Sequence, residues 1–202
     1  MTNEIRIYVE GGGETAYGKG ALRQGFQGFL SNLHERARSN GIKLRVIMTG
    51  SRTNCFRNFC NAWEDHPSDF NILLVDAEGV VAAGPRQHLL NRDKWDVPGA
   101  DENCHLMAQA MEAWIVADPD ALAKYYGQGF LLSALPKTQN VEEIDKAELE
   151  SALDRVSSNT QKGRYHKIRH AAALLSLIDC NTVRKRARHC DRFFQTLESR
   201  IT

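Results

Sequence analysis

The sequence predicts an α/β fold built on a mainly parallel sheet, and three observations carry that prediction. Strand-like and amphipathic helical runs alternate from the start of the chain. The third strand-like run, Phe70-Asn71-Ile72-Leu73-Leu74-Val75, is almost continuously apolar. Acids stand at the ends of the first and third runs. An order of strand, helix, strand, helix, strand requires parallel pairing with right-handed crossovers. An apolar run of this kind is a strand covered on both faces.

Ile5 to Val9 alternates and is β-branched, and Gly11-Gly12-Gly13 stops it, which leaves Glu10 at the C-terminal edge. From Gly20 to Asn40, the apolar positions Leu22, Phe26, Phe29, Leu30, Leu33 and Ala37 recur every three or four residues and predict one helix closed by Asn40-Gly41. Lys43 to Met48 is a second strand, Thr49 to Arg52 a polar turn, and Cys55 to Asp65 a helix. After the third strand and its Asp76-Ala77-Glu78-Gly79 turn, the segment from Val80 to Asp101 is rich in Gly, Pro and charge and reads as a surface excursion. His105 to Asp118 is apolar, and Pro119 suits the first turn of another helix, with Asp118 as its cap. Gly127 to Thr138 reads as a loop. Val141 to Val156, Tyr165 to Asp179 and Thr182 to Leu197 read as helices. The expected organisation is an α/β catalytic domain over residues 1–125 with a helical extension over 126–202 packed on it, or one domain containing both.

A chain of 202 residues with 42% apolar content can bury one substantial core. Twenty-six Lys and Arg against twenty-five Asp and Glu leave a formal charge of +1, so bulk charge identifies no partner. Its distribution is uneven: from Lys162 onward, ten basic residues face three acids. There is no run of about 18 apolar residues, and the N-terminus lacks the order of a secretory signal. The expectation is a cytoplasmic protein with no membrane partner. Five scattered cysteines without a CxxC pair point to free thiols rather than a zinc site.

The chemistry-bearing residues are VEGGGE and LLVDAEG. Ligands collect beyond the C-terminal ends of the strands in parallel sheets, where Glu10, Asp76 and Glu78 are expected together. Mg²⁺ takes oxygen ligands and usually one or two carboxylates, keeping other positions for water and substrate phosphate. Asp76 and Glu78, two apart, suit a claw for Mg²⁺ (Mn²⁺ is an alternative), with Glu10 as a further ligand or a proton carrier. A two-metal version needs a fourth acid, for which Glu14 is the first candidate and Glu112 the second. Gly11, Gly12 and Gly13 would let backbone amides approach a phosphate. Read blandly, the same residues are a helix cap and a turn; their shared sheet edge favours the metal. Glu112 projects either toward that edge or into solvent. Trp114 reads as core.

VEGGGE with LLVDAEG resembles the Toprim arrangement, in which a strand-end Glu and a downstream Asp-x-Asp pair hold Mg²⁺. HLMAQAMEAWIVADPDAL, YYGQGF and Tyr165-x-Lys167-x-x-His170 resemble more narrowly the DUF4276 family, over nearly the whole chain. The resemblance implies a Toprim-like, Rossmann-like sheet and a Mg²⁺-dependent nuclease acting on DNA or RNA. It also implies an ATPase partner and a setting in anti-phage defence or mobile elements. Asp76 and Glu78 would bind metal, and Glu10 would be ligand or general base. Glu78 departs from the pattern, which has Asp there, and this favours nuclease over topoisomerase-like or primase-like activity. A catalytically idle nucleic-acid-binding subunit and a phosphohydrolase of small esters are the alternatives.

Lys167 and His170, three apart, would share a helix face and grip a phosphate or stabilise its transition state. His170 reads equally as a hydrogen-bonded, partly buried histidine. Arg184, Lys185 and Arg186 form either a solvated face or a phosphate-contact strip with steep salt dependence. Arg52, Arg57 and Arg86 lie near strand ends where a phosphate would pass.

Overall fold

The computed structural model describes residues 4–202. Strands β1 (Glu4–Val9), β2 (Lys43–Met48), β3 (Phe70–Asp76) and β4 (Cys104–Met107) form one sheet in the order β2-β1-β3-β4, with every pairing parallel. The expected sheet is therefore present, with a fourth strand at its edge. Four residues opening a longer apolar segment carry no period that separates strand from buried helix, which is why β4 was not legible.

The sheet divides two apolar layers. Ile5, Ile7 and Val9 of β1 and Ile72 and Leu74 of β3 face one side, and Tyr8, Leu73 and Val75 face the other. The first layer is covered by α1 (Ala16–Phe29), α2 (Ser31–Ser39) and the later helices; the second contains Cys55 and Phe59 of α3 (Arg52–Asp65) and Leu89 of α4 (Pro85–Asp93). β3 is buried at every residue, as its composition requires.

Several boundaries differ from expectation. The Gly20–Asn40 helix is two helices, parting at Leu30, whose backbone leaves helical geometry at φ −99°, ψ 15° while its side chain is fully buried. α1 also starts earlier, because the Thr15 hydroxyl caps it by accepting from the Gly18 amide at 3.0 Å. The Val80–Asp101 excursion contains α4, opened by Pro85 at its first turn. Only Pro85 and Leu89 of α4 are buried, so it shows almost no hydrophobic stripe. α5 (Met111–Val116) and α6 (Pro119–Tyr126) follow β4, and the Asp118 carboxylate caps α6 as expected, accepting from Ala121 at 3.1 Å.

α7 (Lys146–Ser157) begins five residues after Val141, where the Asp145 carboxylate caps it. α8 (Ala171–Leu177) is much shorter than the Tyr165–Asp179 helix expected. The Thr182–Leu197 run is α9 (Cys180–Arg186) and α10 (Arg188–Ile201), separated by extended Ala187. Among the described residues, no helix is long and apolar enough to cross a membrane. All five cysteines are free thiols.

Residues beyond 126 share the apolar layer of the sheet: Leu153, Leu174, Phe193 and Ile201 lie in the same cluster as Ile5 and Ile72. α8 lies close against α1. A Cβ at Gly25 would stand 2.6 Å from Ala172 O, and one at Gly28 would stand 2.8 Å from Ser176 Cβ. Both distances are closer than a side chain tolerates, so the pair of glycines sets the helix separation. The segment before α8, residues 165–170, is thereby brought to the C-terminal edge of the sheet.

Candidate functional site

β1 and β3 are neighbours, with Val9 opposite Leu74 and the Glu10 amide bonded to Leu74 O at 3.2 Å. Glu10 and Asp76 thus leave adjacent strands at one edge, as the sequence predicts. Both line a cavity of about 510 Å³ together with Gly11, Gly12 and Gly13.

Asp76 is buried. Its Oδ1 accepts from the Met111 amide at 2.8 Å, and its Oδ2 lies 4.0 Å from Lys167 Nζ. Burial pushes its carboxyl up to about 7; Lys167 opposes the shift, and the Glu112 and Glu10 charges add to it. Glu112 follows Met111 at the start of α5 and is completely inaccessible, which overturns the solvent-facing alternative. Its Oε1 accepts from the Tyr165 hydroxyl at 3.1 Å and lies 3.5 Å from Lys167 Nζ. Its Oε2 is buried with no hydrogen-bond partner. Burial works against the Lys167 charge, yet Glu112 and Asp76 together raise its pKa.

Glu10 and Glu78 are held differently. Arg52 Nη1 donates to Glu10 Oε2 at 3.0 Å and to the Asp76 carbonyl at 2.6 Å. Its Nε and Nη2 grip both Asp93 oxygens at 3.0 and 2.8 Å. The guanidinium also lies over the Trp95 ring, 5.1 Å from its centroid. Burial raises the Glu10 carboxyl above the ordinary range, and Arg52 opposes this. Glu78 has φ 63°, in the left-handed region that non-glycine residues enter only when held there. Its amide donates to Gln109 O at 2.8 Å, and Lys146 Nζ donates to its Oε1 at 2.5 Å. Although burial acts to raise the Glu78 carboxyl, Lys146 holds it below the ordinary range.

Asp76 and Glu78 are thus held by different partners, Asp76 by the Met111 amide and Lys167 and Glu78 by Lys146. Among the described residues, no three or more His, Cys, Asp and Glu side chains converge at metal-binding distance. A narrower pair is present instead: Asp76 and Glu112, two buried acids flanking one lysine, with an orphaned carboxylate oxygen. Since Mg²⁺ commonly takes one or two carboxylates and leaves the rest to water and phosphate, this pair fits a divalent cation. The unmet negative charge it buries is what such a cation relieves.

The glycine turn fits a phosphate approach in part. The Gly11 amide is used by Gly50 O at 2.8 Å, whereas no protein acceptor meets the amides of Gly12 and Gly13 among the described residues. Gly12 has φ 82°, and a Cβ there would meet the Lys19 backbone at 2.8 Å. Gly18 closes against the Gly12 carbonyl and lines the cavity too.

Other predicted residues fall elsewhere. Glu14 is exposed, 4.0 Å from Lys19 Nζ. Lys167 and His170 do not share a helix face, because α8 starts only at Ala171. Residues 167–170 form a turn, and His166 Nδ1 just before it accepts from the Ile168 and Arg169 amides. Lys167 consequently faces the acids, whereas His170 meets the Tyr126 hydroxyl at 3.2 Å and takes the structural role. Burial, with Arg169, His166 and Lys162 nearby, lowers its pKa.

Arg184 is spent on Asp191 and Glu198, and Arg186 on the carbonyls of Ala117 and Thr138; only Lys185 of that strip is exposed. Arg57 bonds Asn54 and Arg86 bonds Gly99 O, away from the cavity. Sequence reasoning gave no role at the site to Lys146, Asp93, Gly18 or the Tyr165 hydroxyl. Of these, only Tyr165 stood in a family motif; the others lie in segments with no local signal.

The fold and edge site define a parallel α/β protein with an acidic cleft at the strand ends. The chain belongs to the DUF4276 family: the family model, described as a domain of unknown function, matches residues 9–198. No curated protein and no solved structure matches it.

Proposed function

We propose that the chain is a Mg²⁺-dependent, Toprim-like nuclease that hydrolyses phosphodiester bonds in DNA or RNA in the cytoplasm, as the effector of a defence or mobile-element system with an ATPase partner. The observation that carries the chemistry is the buried Asp76–Glu112 pair at the strand ends, with Glu112 Oε2 unpartnered and the Asp76 carboxyl pushed up to about 7. The polymer substrate and the partner rest on the family resemblance.

In this reading, Asp76 and Glu112 would hold the cation, and Mn²⁺ could replace Mg²⁺. A cation bound there would supply Lewis acidity and offset the charge of the phosphate. Glu10, raised by burial, takes the proton of the attacking water once Arg52 yields. Lys167, about half exposed, turns from the acids to a non-bridging phosphate oxygen. The free Gly12 and Gly13 amides orient the same phosphate. Purified full-length chain with Mg²⁺ or Mn²⁺ should cleave single- or double-stranded polynucleotide, and Asp76→Asn or Glu10→Gln should abolish cleavage with the fold intact by circular dichroism. Cleavage surviving in either folded variant would sink the proposal.

One observation favours a second reading, a catalytically idle subunit that binds nucleic acid. Arg52 and Lys146 already neutralise Glu10 and Glu78. Binding without turnover in both metals selects it.

A further inference from the structure

The cavity at the sheet edge is lined by two kinds of chemistry. Glu10, Asp76 and Lys167 supply charge, whereas Leu22, Met111, Ile168 and Ala172 supply apolar surface. Tyr165 and His166 add two flat rings to the lining, and both are fixed by hydrogen bonds. The Tyr165 hydroxyl donates to Glu112 at 3.1 Å, and His166 Nδ1 accepts from the Ile168 and Arg169 amides at 3.2 and 3.4 Å.

A cation and a phosphate need only the charged lining. The apolar and aromatic lining suits a second part of the ligand, planar and weakly polar. Ile168 makes the same point from outside, since a β-branched apolar side chain at the cavity is left 51% exposed. A volume of about 510 Å³ falls within the roughly 300–1,000 Å³ of small-molecule sites. A paired base cannot enter such a site without leaving its stack.

We propose that this cavity holds one unpaired nucleotide, with its phosphate at the Asp76–Lys167 end and its base against Tyr165, His166 and Ile168. The inference rests on the phosphodiester reading and narrows its substrate to a nucleoside phosphate unit, free or in an unpaired strand, rather than a duplex.

The test is equilibrium binding to the full chain, with Ca²⁺ supplying the divalent charge. The probes are adenosine 5′-monophosphate, ribose 5-phosphate, a 5′-phosphorylated single-stranded oligonucleotide and its blunt duplex. Base stacking on aromatic side chains predicts that the mononucleotide binds at least about tenfold tighter than ribose 5-phosphate, and the single strand at least about tenfold tighter than the duplex. Mutual competition between mononucleotide and strand places the unit in the strand; mononucleotide binding alone makes it a free nucleotide.

Ile168→Ser should remove most of the preference over ribose 5-phosphate while Mn²⁺ affinity by calorimetry holds. If that variant does not fold, His166→Ala reads the same preference. Equal affinity for mononucleotide and ribose 5-phosphate, no mononucleotide binding by folded chain, duplex bound as tightly as single strand, or an unaltered preference in the folded variant overturns the inference. Base preference without cleavage defeats only the nuclease reading, and cleavage without base preference defeats only this one.

Discussion

Lys167 Nζ stands 3.5 Å from Glu112 Oε1, a half-exposed ammonium against a sealed carboxylate. The same ammonium serves Asp76 at 4.0 Å, so one positive charge is shared between two buried negative ones. Burying a charge without full pairing is costly.

Glu112→Gln should lower Mg²⁺ and Mn²⁺ affinity by tenfold or more in calorimetry, because it removes one of two anionic ligands in a site of low charge count. Glu14→Gln should leave affinity unchanged, since Glu14 lies exposed beside Lys19. Equal losses in the two variants would place the metal elsewhere.

The Asp76 carboxyl, raised to about 7 in the fold from an ordinary 3.8, makes stability depend on pH. A carboxyl raised on folding contributes fully below its unfolded value and loses that contribution as pH climbs through the folded one. Metal-free chain should therefore weaken between about pH 4 and pH 7. Asp76→Asn keeps the acceptor for the Met111 amide and removes the charge, so it should stabilise the metal-free chain by about 2–4 kcal/mol at pH 8 and by less at pH 5. Urea unfolding at the two pH values in chelator reads this, and an equal effect at both would refute it.

Arg52→Ala leaves Glu10 and Asp93 without their shared partner and should cost about 2–3 kcal/mol of stability. Arg52→Lys should recover only part, because an ammonium cannot reproduce the two-pronged grip on Asp93 or the seat over Trp95. Full recovery by lysine in denaturant titrations would reduce the arginine to a point charge.

His170→Ala should lower stability by about 1–2 kcal/mol, because its Nδ1 accepts from the His166 amide and meets the Tyr126 hydroxyl, each at 3.2 Å. Metal affinity should stay at the wild-type level. A selective loss of metal affinity, with melting unaltered, would return His170 to the site.

The central strands and their terminal acids were legible because both obey short-range rules. The apolar run of β3 announces a covered strand, and the glycines after Val9 announce its end. Glu112 and Lys167 were legible only as candidates, because their meeting depends on where α5 and the turn before α8 come to rest. Their sequence neighbours do not settle it. The helix predicted across Tyr165–Asp179 would have put Lys167 beside His170. The His166 ring instead captures two backbone amides and bends the chain, a side-chain competition with the helix that periodicity does not register. Arg184 and Arg186 looked like a basic strip because their partners, Glu198 and the Thr138 carbonyl, lie on other segments.

Gly25 and Gly28 line no part of the cavity, yet they act as the spacer that decides how low the Tyr165–Ile168 segment rides over the strand ends. Adding one methyl at either glycine would jack that segment upward and widen the cleft, loosening Lys167 and Tyr165 from Glu112 together. Divergence at these two positions would let related chains regauge the opening for bulkier occupants while every charged residue stays in place.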